Sequence, residues 1–331
     1  MKVYIGLLFS KLQRKQCVQL NGVISEINDV YCGVPQGSIL GPLMFLIFFN
    51  DLYERLYFCK VIKFADDTVI YYSDGNIDEI QTKINEDLNN VSSFFEENDL
   101  IINLKKGKTE SLLFGTAKRL AKTSGVLDLQ FNEVKINSTK RYKYLGILLD
   151  PNLTFSEHFN KSYKKASSRL RLLHRLKPYL TLKAATTIYK SFVLPLVNYC
   201  GVINLSINKG QLDKFKSLES RGRDILSSFG EISKIILPKI KDMIEKRACL
   251  LVRQCIDGKL CVNFRNYFEV LAHSKNTRNN KSSIKIPKVK LEFARKGFYF
   301  MGAKIYNLLP NELRCKESYS DFKNCLMKLY S

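Results

Sequence analysis

Two adjacent aspartates, Asp66 and Asp67, interrupt an otherwise apolar stretch whose sequence is FADDTVIYYSD. Carboxylates this close repel each other unless a cation lies between them. Mg²⁺ prefers oxygen ligands of this kind and commonly binds substrate phosphates at the same time. A pair of such ions about 3.5–4 Å apart can stabilise both the attacking and the leaving oxygen in phosphoryl transfer. Aspartate is also frequent in hairpin turns, so the doublet by itself leaves a metal site and a polar turn as alternatives.

The residues around the doublet predict a hairpin that carries it at the tip. Apolar or alternating segments flank it at 58–63 and 68–73, which is typical of paired strands. Apolar residues then recur with helical spacing over 77–97. Further strands are predicted at 110–114, 127–136 and 142–149.

Two features upstream of the doublet predict a tight turn and a loop. An Asn-Gly pair lies in the middle of residues 17–27 and is a strong signal for a two-residue hairpin turn. Residues 33–38, GVPQGS, predict a glycine-rich loop. Ser38 at its end is a suitable residue to cap a helix that runs to about Asp51.

The sequence pattern changes after Asp150-Pro151, where the chain is expected to break. Beyond that point helical periodicity replaces strand alternation, and a polar loop is predicted at 276–283. We therefore expect an α+β protein in which an antiparallel sheet with flanking helices is followed by an all-helical region. The predicted helices of that region span 156–176, 181–200, 209–228, 238–256, about 296–308 and 318–330.

The net charge of +22 lies entirely in the second half of the chain. Residues 1–155 contain 18 basic and 18 acidic side chains, whereas residues 156–331 contain 35 basic and 13 acidic ones. Such segregation favours a polyanionic partner, most often nucleic acid. A protein that is merely basic, without such a partner, is the alternative.

The first predicted helix of the basic half is the strongest candidate for contact with phosphates. Its basic residues repeat one helical turn apart, and leucines occupy the other face, as in an amphipathic helix that follows a nucleic-acid backbone. A membrane surface could attract the same pattern, but the leucines are expected to pack inside the protein. The candidate nucleic-acid-binding residues are Lys161, Lys164, Lys165, Arg169, Arg171 and Arg175.

Cysteine usage and hydropathy argue for an intracellular protein. The nine cysteines include no CxxC pair, so neither a zinc ribbon nor a disulfide framework is indicated. The apolar run near Met1 is short and lacks a cleavage site for a signal peptidase. The longest apolar run, 39–49, is interrupted by Gly-Pro and is too short to span a bilayer. We expect a location in the cytoplasm, the nucleus or both, without a membrane partner.

Four successive blocks of the sequence resemble the reverse transcriptases of non-LTR retrotransposons, most closely those of LINE-type and jockey-like elements. The blocks agree in order and spacing with that family, and the basic helices after 156 resemble its thumb. The resemblance implies a partial polymerase palm at 1–151 that lacks the fingers and the first catalytic strand, a helical thumb-like region at 152–260, and the element's C-terminal tail region at 261–331. The four blocks are GVPQGSILGPLMFLIFFNDL (33–52), FADDTVIYYSD (64–74), INLKKGKTESLLF (102–114) and YKYLGILLD (142–150).

The resemblance also implies an activity, which is RNA-directed DNA polymerisation by two-metal phosphoryl transfer. Asp66 and Asp67 would be the catalytic and metal-binding residues, with Mg²⁺, or Mn²⁺ in its place, as the ion. The partners implied are an RNA template, a DNA primer and deoxynucleoside triphosphates, with no specific protein partner. By resemblance, the template base and the incoming nucleotide would be contacted by Gln36, Gly37 and Ser38. Lys108 would face the triphosphate, with Lys105 and Lys106 as rivals. The primer end would be gripped by Tyr144, Leu145 and Gly146, for which an ordinary core strand is the alternative.

The family's metal site needs a further aspartate upstream of the glycine-rich loop, and we find no match for it. The acidic residues before Gly33 are Glu26 and Asp29, and neither stands where the family places its ligand. We therefore expect an incomplete metal site and a chain that is inactive by itself. The alternatives are an enzyme that begins upstream of Met1, a chain completed by another subunit, and a non-catalytic nucleic-acid-binding remnant or domesticated protein.

Overall fold

The computed structural model describes residues 14–30, 33–34, 37–123, 125–230, 237–260, 264, 267–271 and 283–330. The chain divides into two compact units, Met1–Leu145 and Gly146–Ser331. As the sequence suggests, the first unit contains both strands and helices, and the second unit contains mainly helices. The finer division at 151 and 260 remains a prediction.

The first unit contains short strands and a small number of helices. Its helices are α1 (Gly41–Phe48), α2 (Ile77–Glu97) and α3 (Ala117–Leu120), with a 3₁₀ helix at Asn50–Arg55. Its strands are β1 (Arg14–Gln16), β2 (Gln19–Leu20), β3 (Val23–Ile24), β4 (Asn28–Val30), β5 (Lys60–Phe64), β6 (Asp67–Tyr71), β7 (Glu110–Ser111), β8 (Gln130–Phe131), β9 (Val134–Lys135), β10 (Asn137–Ser138) and β11 (Tyr142–Tyr144).

The strands of the first unit form separate pairs rather than one antiparallel sheet. Antiparallel pairs join β1 to β4, β2 to β3, β5 to β6 and β8 to β9, whereas β7 and β10 are parallel. The Asn-Gly pair predicted within 17–27 does form the turn between β2 and β3. The predicted strand at 110–114 is confined to β7.

Two further strand predictions were wrong because each segment contains an unforeseen turn. The segment 127–136 is a hairpin, β8–β9, whose turn residues Asn132 and Glu133 both have positive φ, 47° and 64°. The segment 142–149 is broken at Leu145 and Gly146, with φ of 45° and 85°. A turn that needs two positive φ values usually carries glycine or asparagine, so Asn-Glu and Leu-Gly gave weak signals.

The core of the first unit forms where α2 lays its apolar stripe on the neighbouring elements. Asn76 caps this helix, because its side chain accepts a hydrogen bond from the backbone N–H of Asp78. Val91 and Phe94 are buried against Leu52 and Phe131. The predicted helix at 77–97 is confirmed at both ends.

The second unit is built from helices, preceded by strand β12 (Ile147–Leu149). The predicted helices at 156–176, 209–228, 238–256, 296–308 and 318–330 are each present within about two residues at either end. The described helices are α4 (Ser156–Leu176), α5 (Leu182–Ile188), α6 (Leu194–Asn198), α7 (Lys209–Ser227), α8 (Ile240–Ile256), α9 (Glu292–Lys296), α10 (Phe298–Asn307), α11 (Asn311–Arg314) and α12 (Tyr319–Leu329), with 3₁₀ helices at Lys177–Tyr179 and Gly201–Ser206.

The helix predicted at 181–200 contains a π turn. Helix α5 leads into a π-helical segment at Tyr189–Val193, and α6 follows it directly. Pro195, in the first turn of α6, has no N–H for the carbonyl four residues earlier. Insertions of this type into a helix are the usual way in which the hydrogen-bond ladder adapts to such a gap.

Two hydrophobic clusters stabilise the second unit. One lies among α4, α5, α6 and α7 and contains Phe159, Leu170, Tyr189 and Phe215. The other lies among α8, α10 and α12 and contains Val252, Tyr306 and Phe322. The predicted loop at 276–283 lies outside the described residues except for Ser283. Within the described part of the chain, no helix combines the length and the apolar character needed to cross a bilayer.

Candidate functional site

The aspartate doublet lies at the end of the β5–β6 hairpin. Phe64 pairs with Asp67, so the turn consists of Ala65 and Asp66. Asp67 is therefore the first residue of β6 and not part of the turn, which refines the prediction that both aspartates occupy the tip. Both carboxylates are exposed. Ala65 has a φ of 52°, a left-handed conformation that a residue other than glycine adopts at a cost of about 1–2 kcal/mol.

A buried carboxylate that we did not predict fixes the beginning of this hairpin. Asp87 is fully buried, and it accepts hydrogen bonds from the backbone N–H groups of Tyr57, Phe58 and Cys59 at 2.9, 3.0 and 2.7 Å. These residues immediately precede β5. Burial, reinforced by the hydrogen bond and charge of Asp87, raises the pKa of the Cys59 thiol to about 12. Because Asp87 lies on the apolar stripe of α2, its burial could have been inferred from helical spacing.

Lys63, on β5, ties the same hairpin to the end of α1. Its Nζ donates to the carbonyls of Phe49 and Asn50 at 2.9 and 3.3 Å. Burial lowers the pKa of Lys63, and the nearby charge of Asp51 acts in the opposite direction. The strand that leads to the aspartates is thus held by side-chain contacts at both of its ends.

Two tyrosines of β11 lie within the electrostatic range of Asp67. Burial raises the pKa of Tyr142 and of Tyr144, and the negative charge of Asp67 raises both further. The hydroxyl of Tyr142 donates to the carbonyl of Lys108 at 2.9 Å. The structure therefore brings Asp67, Lys108 and Tyr144 into one neighbourhood. Tyr142 belongs to it as well and was missed, because nothing in its spacing distinguished it from a strand residue.

Hydroxyl groups without a partner lie in this neighbourhood. Thr68 Oγ1 and Tyr144 Oη are both buried and, among the described residues, neither has a hydrogen-bond partner. Buried hydroxyls are usually satisfied. Thr68 follows Asp67 in β6, and Tyr144 belongs to the predicted primer grip. At either hydroxyl a bound substrate or a water could supply the missing hydrogen bond.

The glycine-rich loop leads into α1. Gly37 has a φ of 84°, a conformation that favours glycine. The predicted cap was wrong in detail, because Leu40 and not Ser38 is the N-cap residue of α1 and the helix ends at Phe48. Ser38 Oγ nevertheless accepts a hydrogen bond from the N–H of Gly41, the first residue of α1, at 3.0 Å. Gln36 lies outside the described residues.

Lys108 belongs to a turn in which the three candidate lysines are exposed. Its backbone N–H donates to the carbonyl of Lys105 at 3.0 Å, and Lys106 lies between them. The side chains of all three point to solvent. The geometry of the turn therefore does not select Lys108 over its two rivals for contact with a triphosphate.

Leu145 and Gly146 form the turn after β11 rather than the middle of a strand. A Cβ added to Gly146 would lie 3.3 Å from the ring of Tyr199, and its φ of 85° already favours glycine. Of the three predicted primer-grip residues, only Tyr144 therefore presents a polar group. The predicted role of the segment remains untested.

The two carboxylates have the right chemistry for Mg²⁺, an ion that usually binds one or two carboxylates together with waters and substrate phosphates. Oxygen ligands suit this ion, and Asp66 and Asp67 are exposed and adjacent. In the residues that the structure describes, however, no three histidine, cysteine or acidic side chains are grouped so that they could hold a metal ion. The doublet therefore supplies two carboxylates that could hold such an ion, without a third acidic ligand among the described residues.

Helix α4 presents the predicted basic surface. Phe159, Leu170 and Leu173 bury its apolar face, which agrees with protein packing rather than membrane contact for that face. Arg169 differs from the other basic residues, because it is half-buried and donates to the carbonyl of Phe192 at 2.9 Å. The fully exposed basic residues are Lys161, Lys164, Lys165, Arg171 and Arg175.

The chain is similar to polymerases of several mobile elements. Residues 5–149 match the family model described as "Reverse transcriptase (RNA-dependent DNA polymerase)". The "RNA-directed DNA polymerase from mobile element jockey" of Drosophila melanogaster is 28% identical over 214 residues, which cover 62% of this chain and 23% of that protein. From the same organism, the "Probable RNA-directed DNA polymerase from transposon BS" is 30% identical over 207 residues (59% and 22%), and that from transposon X-element is 29% identical over 204 residues (59% and 22%).

These relatives are much longer than the chain, which spans less than a quarter of their length in the alignments. No solved structure matches the chain significantly. The family match nevertheless includes the hairpin with Asp66 and Asp67, the glycine-rich loop and Lys108. Residues 5–149 therefore resemble a reverse transcriptase domain, and the chain is similar to the RNA-directed DNA polymerases of the jockey, BS and X elements.

Proposed function

We propose that this chain is the nucleic-acid-handling part of a retrotransposon reverse transcriptase, whose activity is RNA-directed DNA polymerisation. The observation that carries the proposal is the β5–β6 hairpin, which lies inside the family match and exposes Asp66 and Asp67. The substrates are an RNA template, a DNA primer and deoxynucleoside triphosphates. The cytoplasm and the nucleus, where such templates occur, are the expected locations.

In this proposal each part of the hairpin has a definite role. Asp66 and Asp67 are two of the carboxylates that hold Mg²⁺, or Mn²⁺ in its place. Such ions, when bound, stabilise the charge that develops on the phosphoryl oxygens. Asp87 and Lys63 keep the hairpin in position through the backbone of residues 57–59 and of Phe49. Gly37, Ser38 and Lys108 belong to the surfaces that contact the incoming nucleotide and template base.

We further propose that the 331-residue chain by itself extends primers poorly. Two-metal transfer needs carboxylates that bridge both ions, and the described residues bring no third acidic side chain to the doublet. What the chain retains is binding of nucleic acid through the exposed basic face of α4. The second candidate function, a non-catalytic binding protein, rests on this same observation.

Primer extension and binding together test the proposal. The purified chain, with an RNA template, a labelled DNA primer and Mg²⁺, should give little extension. Extension at an ordinary polymerase rate that disappears in Asp66→Asn would overturn the incomplete site while supporting the catalytic role of the hairpin. A matched control is Asp74→Asn, because Asp74 is also exposed and follows β6.

Salt dependence tests the binding half of the proposal. The affinity for duplex should fall with salt with a log–log slope of about −0.9 for each neutralised phosphate. Lys161→Gln combined with Lys165→Gln should make that slope shallower by about 1.8. An affinity that does not respond to salt would remove nucleic acid as the partner of α4.

A further inference from the structure

A concave site lies on the basic face of the second unit, beside the π turn. Its volume is about 350 Å³, which is within the range of small-ligand pockets. We refer to it as the arginine pocket. It is lined by Ser168, Arg169, Arg171, Leu172, Arg175 and Phe192.

Phe192 is held in this pocket by a specific pair of contacts. The guanidinium of Arg169 lies over its ring, 3.9 Å from the ring centroid, and donates to its backbone carbonyl at 2.9 Å. Phe192 also belongs to the π turn, a rare element that is frequent at functional sites. Its side chain nevertheless remains 39% exposed. Arg169 covers one face of this ring, so the exposed remainder of the ring is the part that is available for stacking.

The lining of the pocket also carries exposed positive charge. Arg171 and Arg175 are one helical turn apart on α4 and are both exposed. Neither takes part in an ion pair with any acidic side chain that the structure describes. Leu172, between them in sequence, is 47% exposed. The pocket thus combines a flat apolar wall with two guanidinium groups, which are well suited to bind phosphate.

We infer that the arginine pocket binds one unpaired nucleotide of a nucleic-acid strand, an inference that rests on the nucleic-acid binding proposed above. The base would stack against Phe192 and Leu172, and Arg171 and Arg175 would contact its flanking phosphates. A duplex hides the faces of its bases within the stack, so it can use the arginines but not the ring. The pocket therefore selects single-stranded or flanking unpaired segments over uniform duplex.

The first test compares single-stranded and duplex binding of the whole chain. Fluorescence anisotropy would use a 12-nucleotide RNA or DNA strand, the same strand with abasic sites, and a 12-base-pair duplex. Phe192→Leu should weaken binding of the intact strand by about 5-fold or more, the loss expected when one stacked base loses an aromatic partner. It should leave duplex affinity unchanged within about twofold and remove the preference for the intact over the abasic strand.

The control for this substitution is Phe293→Leu, because Phe293 is similarly exposed, at 49%, on the same unit. It should leave every affinity unchanged. Circular dichroism would establish that both variants fold. If Phe192→Leu lowers the affinity for the single strand and for the duplex equally, or changes neither affinity, the nucleotide pocket is refuted. The proposed function would still stand in that case, provided that salt-dependent binding persists.

A second pair of variants separates the pocket from general charge. Arg171→Gln with Arg175→Gln should weaken the single strand more than Lys161→Gln with Lys165→Gln, although each pair removes two charges from α4. Equal losses from the two pairs would reduce the arginines to ordinary phosphate contacts and overturn the pocket. Loss of anionic-vesicle binding in Phe192→Leu, with unchanged strand affinity, would assign the site to lipid and also overturn it.

Discussion

Replacement of Asp87 by asparagine tests whether this buried carboxylate holds the hairpin that carries Asp66 and Asp67. Its Oδ2 accepts from Phe58 and Cys59, and its Oδ1 accepts from Tyr57. The carbonyl oxygen of an asparagine can replace only one of these two carboxylate oxygens. The NH₂ group then takes the place of the other oxygen, and it points a donor at a backbone N–H that is itself a donor. Hydrogen bonds to a charged group are worth about 1.5–3 kcal/mol each.

We expect Asp87→Asn to lower the local stability of the hairpin by about 2 kcal/mol. The loss is not larger because two of the three donors are only partly buried. The hydrogen bonds of the Tyr57 and Phe58 N–H groups are partly buried, whereas that of the Cys59 N–H is buried. If asparagine keeps the two bonds of Oδ2, only the bond to Tyr57 is lost. Asp87→Ala removes all three, and it should cost about 3–4 kcal/mol because Cys59 N–H then lacks a partner in a buried place.

Hydrogen–deuterium exchange measures this effect locally, which suits a chain of two units whose global unfolding need not be two-state. A cost of 2 kcal/mol should accelerate exchange of the amides in residues 57–64 by about 30-fold, since 1.4 kcal/mol is a factor of ten. Glu86→Gln is the matched control: it lies next to Asp87, and its ion pair with Lys83 is partly exposed, so it should change exchange by less than about fivefold. Exchange in Asp87→Asn that equals the wild-type rate would refute the anchoring role.

Two further perturbations act on the second unit. Gly222→Ala should destabilise it by about 1–3 kcal/mol, because a Cβ at Gly222 would lie 2.5 Å from the buried ring of Tyr189; a midpoint in urea equal to that of the wild type would contradict this packing. His158 accepts a hydrogen bond from Leu148 N–H at 3.3 Å, and burial, with the charge of Lys161, lowers its pKa. Its neutral form is thus favoured by folding, so its contribution to stability is complete above the ordinary histidine pKa of about 6.5 and is lost as the pH falls below it. His158→Gln should flatten the dependence of stability on pH below that value, and an unchanged pH profile would show that His158 does not titrate with unfolding.

The long helices were predictable because their apolar periodicity is sustained, and in α2 a capping residue agrees with it. The apolar stripe of 77–97 is preceded by Asn76, a good N-cap residue, and the structure begins α2 directly after it. Helix α4 likewise occupies the predicted range, Ser156–Leu176. In both cases the stripe is long enough that tertiary packing reinforces local preference.

The short strands were less predictable because their ends depend on turns with weak local signals. Asn132 and Glu133 adopt positive φ without a glycine, so the β8–β9 hairpin looked like a single strand. The parallel pairing of β7 with β10 depends on residues far apart in sequence. Periodicity within a segment carries no information about such a partner.

In the candidate site, too, some residues were predictable from the sequence and others were not. The aspartate hairpin followed from composition and alternation, and its family from the four sequence blocks. Asp87 was missed because an acidic residue on a helix is normally assigned to solvent, although its position on the apolar stripe predicts burial. Tyr142 was missed because only the folded chain brings it close to Asp67 and Lys108.

The aspartate hairpin and the basic face of α4 should respond separately to substitution, because each is supported by a different hydrophobic core. The hairpin with Asp66 and Asp67 is supported by α2 and the core around Phe94. The basic face of α4 is supported by the core around Phe159 and Leu170. A substitution that removes a carboxylate from the hairpin leaves the second core unchanged. The salt-dependent binding proposed for α4 should therefore persist when Asp66 or Asp67 is replaced by asparagine, and a loss of that binding would show that the two regions are coupled.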